Sequence, residues 1–401
     1  MNLSRLKSKR FQRALPLADA WRPILLAFLA VALLCTFLLF RLSTLTPGFG
    51  QPEIQLLEAS RSFSVIADNP LFLPNKVGVY LLTELGIGDM AGRVISVGIG
   101  VIAAVAMFLI LRQWHTPRVS ILATSLFITS SWFLNVSRIG TEDSAYLLTL
   151  LLVLSGVWLH KKRHVFVASI IATVSAAFLL YVPAMSWLVL AGVIWQRKRI
   201  TAAIASLSIW WQSAVLIMAG LILVPLGWGL AQQPTLALTW LGLPQSWPTV
   251  VEFIGNVVNV PKEIFLQRAH NPIYGIGRLP YLDIFTTIMV AFGVYSYAFR
   301  LKLDRTRLIL AGMGFGVLFV SLADEVRISL LLPFIYILAA AGITLLLQKW
   351  FTVFPKNPLA RGIAVAVMIA AIMTSSFYHI TRYYEAWPNT PETKQTFQQR
   401  P

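Results

Sequence analysis

Three short stretches of the 401-residue sequence concentrate side chains that can move a proton or hold an anion. The first reads Gly48-Phe49-Gly50-Gln51-Pro52-Glu53, followed at a distance by Lys76 and Arg93. A proline after a glycine turn suits the first turn of a helix, and Glu53 then sits where the helix dipole favours an ionised carboxylate. That helix is predicted to run to about Ile66. An extended stretch from Asn69 to Lys76 follows, then a second short helix carrying Tyr80 and Glu84. The second stretch runs from Asn135 through Arg138 and Thr141 to Glu142, Asp143 and Ser144, with Thr141 as the predicted N-cap and both acids in the first turn. The third is Asp324-Glu325-Val326-Arg327. An ionised carboxylate can accept a proton from a hydroxyl, and Lys and Arg hold phosphate oxygens, Arg in a bidentate fork. Glu53, Glu142 and Asp143 are therefore candidate bases, and Lys76, Arg93, Arg138 and Arg327 candidate phosphate ligands.

Each of these residues also has a plainer reading. Helix-start carboxylates stabilise by about 0.3–1 kcal/mol without doing chemistry, and arginines near a membrane surface extend to lipid phosphates. Other motifs carry less. His160 and His164 have the spacing of metal ligands on a helix, but they flank Lys161-Lys162-Arg163 and lack a third ligand. Gly86, Gly88 and Gly92 stand outside any strand–helix unit and make no dinucleotide fingerprint. One cysteine, Cys35, can build neither a disulfide nor a thiolate site. The sequence requires no cofactor and supports no divalent metal.

The elements that must position these residues are transmembrane helices. The chain is 57% apolar and 12% charged, about half the charged fraction of a soluble domain. Eleven transmembrane spans are predicted, at about 23–40, 90–111, 118–136, 142–159, 164–181, 183–196, 212–230, 281–299, 307–322, 328–348 and 360–378. The fold class is an all-α integral membrane protein, with membrane domain 1–380 and a short outer tail at 381–401. The net charge of +17 is not a nucleic-acid signal, because the basic residues sit in clusters between apolar runs. With the N-terminus cytoplasmic, 21 of the 33 basic residues fall on the inner side, as the positive-inside rule requires. Fourteen of the 16 acids fall outside, mostly in the long connections 42–89 and 231–280 and at two helix ends. The C-terminus is then outside, and the host membrane is the plasma membrane.

A carboxylate early in the first outer loop, a Pro-and-Lys stretch, and an Arg opening the second span resemble the layout of the GT-C glycosyltransferases. So does an Arg followed by acids at the head of the fourth span. The resemblance is to the branch of protein O-mannosyltransferases and lipid A aminoarabinose transferases, and it covers residues 1 to about 160, with Arg327 to Pro333 adding to it. This chain has the single acid Glu53 where the family's first motif shows Asp followed by Glu. The resemblance implies an inverting enzyme that takes a sugar from a polyprenyl-phosphate donor lipid at the outer face, with Glu53 as the expected base. Membrane lipids are the other expected partners. The acceptor stays open between protein, lipid and glycan. A transporter or flippase of a lipid-linked or other anionic substrate is the alternative, disfavoured by the few mid-span charges and the lack of a visible repeat.

Overall fold

The computed structural model describes residues 24–161, 165–269, 271–323 and 326–399. The N-terminal basic cluster, Lys162-Arg163-His164 and the Asp324-Glu325 pair lie outside the described residues.

Every predicted span falls on helix. The chain enters through α1 (Ile24–Leu39), and its first long connection folds into α2 (Gln51–Ala59), α3 (Phe63–Asp68) and α4 (Leu73–Glu84). Next come α5 (Ala91–Trp114), α6 (Pro117–Thr129), α7 (Ser131–Arg138), α8 (Thr149–His160), α9 (Val165–Leu179), α10 (Met185–Ala205) and α11 (Ile209–Gln232). The second long connection holds α12 (Leu236–Leu241) and the amphipathic α13 (Val250–Phe265). The chain closes with α14 (Ile284–Ala298), α15 (Asp304–Leu322), α16 (Leu332–Val353), α17 (Pro358–Thr381) and α18 (Pro391–Thr396). Among the described residues six helical segments are long and apolar enough to cross a membrane alone, and the bent pair α6–α7 makes a seventh. The remaining predicted spans fall on α1, α9 and α14, which are apolar but too short to count alone, and on α10, which ends in Arg197-Lys198-Arg199.

Solvent exposure is inverted relative to a water-soluble protein. Trp210, Leu216, Val251 and Ile284 are exposed on helix surfaces, while Ser96, Ser144, Thr149 and Asn75 are fully buried. A bilayer solvates the first group, and helices satisfy the backbone within each span. α16 is buried along most of its length and α11 along little of it, so α16 is the central helix. It crosses α14 closely at Gly293 and Gly342. A Cβ at either would lie 1.9 Å from a carbonyl oxygen of the facing helix, so only glycine permits this approach.

End-to-end contacts show that helix direction alternates. Asp304 meets Arg199 and His160, Lys161 meets Gln113, and His115 meets Thr344, so the basic connections share one end of the bundle. The first connection, Glu142-Asp143, Arg327 and the C-terminal segment share the other.

Two local expectations are corrected. The predicted helix from Gln51 to Ile66 breaks after Ala59, where the Ser60 hydroxyl bonds back to the Leu56 carbonyl. Ser62 then caps α3 by accepting from the Val65 amide. The stretch predicted extended up to Lys76 is helical from Leu73. Phe72 in the left-handed region (φ 58°) turns the chain there, and Pro74 occupies the first helical turn. The C-terminal segment is more than a loose tail. Tyr383, Tyr384, Trp387 and Phe397 join the main core, and the Phe49 amide donates to the Gln399 carbonyl at 3.0 Å.

Candidate active site

The seven candidate residues separate into two groups. In the first, Glu53 is 2% exposed and Arg93 5%. Arg93 Nε donates to Glu53 Oε1 at 2.8 Å and Nη2 to Oε2 at 3.0 Å. The Gly140 amide donates to Oε1 at 3.1 Å and the Gly50 amide to Oε2 at 2.9 Å. Each carboxylate oxygen thus accepts two N–H donors from the protein itself. The remaining Arg93 donors go to the Leu42 and Gly48 carbonyls and to Thr46 Oγ1. Gly140 reaches this carboxylate because it lies against the α5 backbone, where a Cβ would stand 2.8 Å from the Arg93 nitrogen. In this structure the expected base Glu53 and the expected phosphate ligand Arg93 are bound to each other. The pair ties the first connection to α5 and to the chain after α7, with both partners enclosed.

Arg138 belongs to the same structural layer. Ser130, extended at φ −63° and ψ 137°, ends α6 and caps α7 by accepting from the Phe133 amide. The resulting 63° bend carries Arg138 to the end of α1. There Nε donates to the Leu38 carbonyl at 2.8 Å and Nη2 to that of Phe40. Its guanidinium lies 4.6 Å from the Tyr384 ring centroid and 5.1 Å from that of Tyr383. Unpaired carbonyls at a helix C-terminus attract cations, and Arg138 caps the end of α1 in this way.

The second group has the character of a site. Glu142 and Asp143 open a 3-10 turn (Glu142–Leu148) that leads into α8. Thr141 precedes it with extended backbone but no side-chain cap, which corrects the capping expectation. Instead Asn75 of α4 holds this turn, donating to Ser144 Oγ at 2.8 Å and to the Thr141 carbonyl at 3.2 Å. Lys76, next to Asn75, stands 3.9 Å from Glu142 and donates to the Asn69 carbonyl at 2.8 Å. Arg327 Nε stands 3.7 Å from Asp143 Oδ1. Neither ion pair is within direct hydrogen-bond distance, unlike Glu53–Arg93. The side chain of Arg327 is 53% exposed and that of Glu142 36%, whereas that of Asp143 is 8%. One cation and one carboxylate therefore face outward over a buried pair.

Charge balance follows from this packing. Burial pulls the Lys76 ammonium below its usual range, with Glu142 opposing. Burial also works against the Arg327 cation, but Asp143 and Tyr274 outweigh it and hold the guanidinium charged. Tyr274, on the second long connection, brings its phenol beside Asp143. Burial first, then the Asp143 charge, raises its phenol well above the usual value, so Tyr274 stays a donor. Its backbone is fixed by Asn135 Nδ2 at 2.7 Å and Arg268 Nη1 at 2.8 Å, both donating to its carbonyl. Sequence reasoning missed Asn75, Tyr274 and Arg268. Asn75 lay unremarked in the stretch from Asn69 to Lys76, and Tyr274 and Arg268 gave no signal of their own. Among the described residues no group of three or more His, Cys, Asp or Glu could hold a metal ion. The large cavity of the molecule, about 740 Å³, lies at the opposite end of the bundle.

No protein-family model matches the sequence. No curated protein is similar to it in sequence. In structure the chain is similar to the apo crystal structure of ArnT from Cupriavidus metallidurans, at a TM-score of 0.53 and 12% identity. The likeness covers 95% of this chain and 76% of that one. At this identity the likeness is one of fold. The chain shares the all-helical, multi-pass membrane fold of that structure.

Proposed function

We propose that the protein is a membrane glycosyltransferase that moves a sugar from a polyprenyl-phosphate donor to an acceptor hydroxyl, with inversion. The observation that carries this reading is the second group of residues. Four segments distant in sequence bring two carboxylates, a lysine, an arginine and a tyrosine to one end of a GT-C-type bundle. Their ion pairs are loose enough to admit a ligand. By the positive-inside rule that end faces outward.

The chemistry needs one base and a set of cations. Phosphate leaves an anomeric carbon as a stable anion, so little leaving-group protonation is required. We assign Glu142, the exposed acid, to accept the proton of the acceptor hydroxyl as its oxygen bonds to the anomeric carbon. The carbon–oxygen bond to phosphate breaks on the opposite face, and its electron pair departs with the phosphate. Arg327 and Lys76 hold the phosphate oxygens. Asp143 is a positioning residue, keeping Arg327 and Tyr274 in place. Glu53, Arg93 and Arg138 build the platform beneath.

Purified protein supplied with a polyprenyl-phosphate sugar tests this. Glu142→Gln keeps shape but accepts no proton, so turnover should fall by about 10²–10⁴-fold while donor binding stays nearly unchanged. Wild-type turnover in Glu142→Gln would overturn the assignment. A protein that transfers no sugar but moves bound lipid across a bilayer would replace it with the flippase reading.

A further inference from the structure

The cavity of about 740 Å³ at the far end of the bundle takes no part in the proposed reaction. Its walls come from α8, α9, α10, α15 and α16 and are apolar, with Val157, Ala176, Leu188, Phe315 and Phe334 among them. Its volume lies within the range of about 300–1,000 Å³ that small-molecule sites occupy. Its mouth is polar and unbalanced. Lys161, Arg199, Lys302 and Arg305 gather there with His160 around a single carboxylate, Asp304. Arg199 Nη2 pairs with Asp304 Oδ2 at 3.2 Å and His160 Nδ1 lies 3.8 Å from the same oxygen. These contacts bridge α15 to α8 and α10 across the opening. All three side chains are more than a third exposed, and such pairs contribute little to stability, so the bridge can open.

Position along the bundle distinguishes this place from the candidate active site. His160 ends the helical run that Glu142 begins. At 1.5 Å per α-helical and 2.0 Å per 3-10 residue, the two ends lie roughly 30 Å apart, about the thickness of a bilayer's hydrocarbon core. The mouth therefore opens at the headgroup level of the opposite leaflet.

We infer that the cavity between α8, α10 and α15 is a binding site for an anionic glycerophospholipid of the leaflet facing the basic connections. The acyl chains enter the apolar space, and the phosphate takes the place of the Asp304 carboxylate on Arg199, with Lys302 and Arg305 beside it. A neutral lipid would leave the cationic mouth unpaired, and a soluble anion would leave the apolar walls unfilled. The inference stands independently of the proposed reaction.

Native mass spectrometry of the full-length protein, equilibrated with phosphatidylglycerol or phosphatidylcholine, tests it. Phosphatidylglycerol should be retained preferentially. Arg199→Gln should weaken its retention about fivefold, the effect of one basic residue at an anionic headgroup. Asp304→Asn removes the competing carboxylate and should strengthen it, an effect opposite to the loss that a purely structural ion pair would give. Gly192→Phe should project a ring into the space, since a Cβ there meets nothing within 4 Å, and should abolish retention. Equal retention of phosphatidylcholine, or unchanged retention in Gly192→Phe and Arg199→Gln, would overturn the inference.

Discussion

Glu53→Gln preserves the size of the side chain and removes its charge, and the tie it belongs to makes the consequence large. The glutamine NH₂ must face either Arg93 Nε and the Gly140 amide or Arg93 Nη2 and the Gly50 amide. In both orientations two N–H donors oppose a donor, and the buried guanidinium loses its counter-charge. Leaving one member of a buried pair uncompensated costs about 3–5 kcal/mol, and the two lost hydrogen bonds fall within that figure. An exposed first-turn base would lose under about 1 kcal/mol, so the two roles are separable. Equilibrium unfolding in mixed micelles, run as a double-mutant cycle with Arg93→Gln, reads the difference. The reasoning predicts strong destabilisation by either single change and a coupling of about 0.5–3 kcal/mol between them. A Glu53→Gln protein as stable as the wild type but slowed about 10²–10⁴-fold in turnover would refute the tie and restore Glu53 as the base.

Two further outcomes follow from the same packing. Arg138→Ala should destabilise by about 2–4 kcal/mol, since it strips charged donors from the Leu38 and Phe40 carbonyls and removes two aromatic stacks. Arg138→Lys should recover only part, and both should leave polyprenyl-phosphate affinity intact. His115 is held neutral, its pKa lowered to about 4 from 6.5 by burial and the neighbouring Arg305. A depressed imidazole contributes stability that is complete above about pH 6.5 and declines as pH falls toward 4, by about 3 kcal/mol in all. Unfolding measured between pH 7 and 4 should show that slope, and His115→Gln should flatten it.

The helices were legible because a membrane span must be apolar over a length fixed by the bilayer, and each predicted run lies on helix for that reason. The shared end of the basic connections was legible in the charge pattern. The ties were not. Glu53, Arg93 and Arg138 find their partners largely in backbone groups, the Gly50 and Gly140 amides and the carbonyls of Leu38, Phe40, Leu42 and Gly48. Side-chain types do not reveal where backbone groups will converge, so the capping and clamping contacts of these arginines were not legible in the sequence. The start of α4 had a sequence signal in Pro74 at a first-turn position, but Phe72 in the left-handed region is a turn that composition does not announce. Tyr274 reached Asp143 only through the tertiary placement of the second long connection.

The central claim is that the anionic donor is held by the Lys76, Glu142, Asp143 and Arg327 group and not by the buried arginines beneath it. Polyprenyl-phosphate affinity, measured on the purified protein with Arg327→Ala beside Arg138→Ala, tests it most directly. Arg327 is half exposed, so its truncation should fall at the low end of the charge-pair range, about 2 kcal/mol or roughly a thirtyfold loss of affinity. Arg138→Ala should bind the lipid as the wild type does. Undiminished binding in Arg327→Ala, with binding lost in Arg138→Ala, would contradict the account.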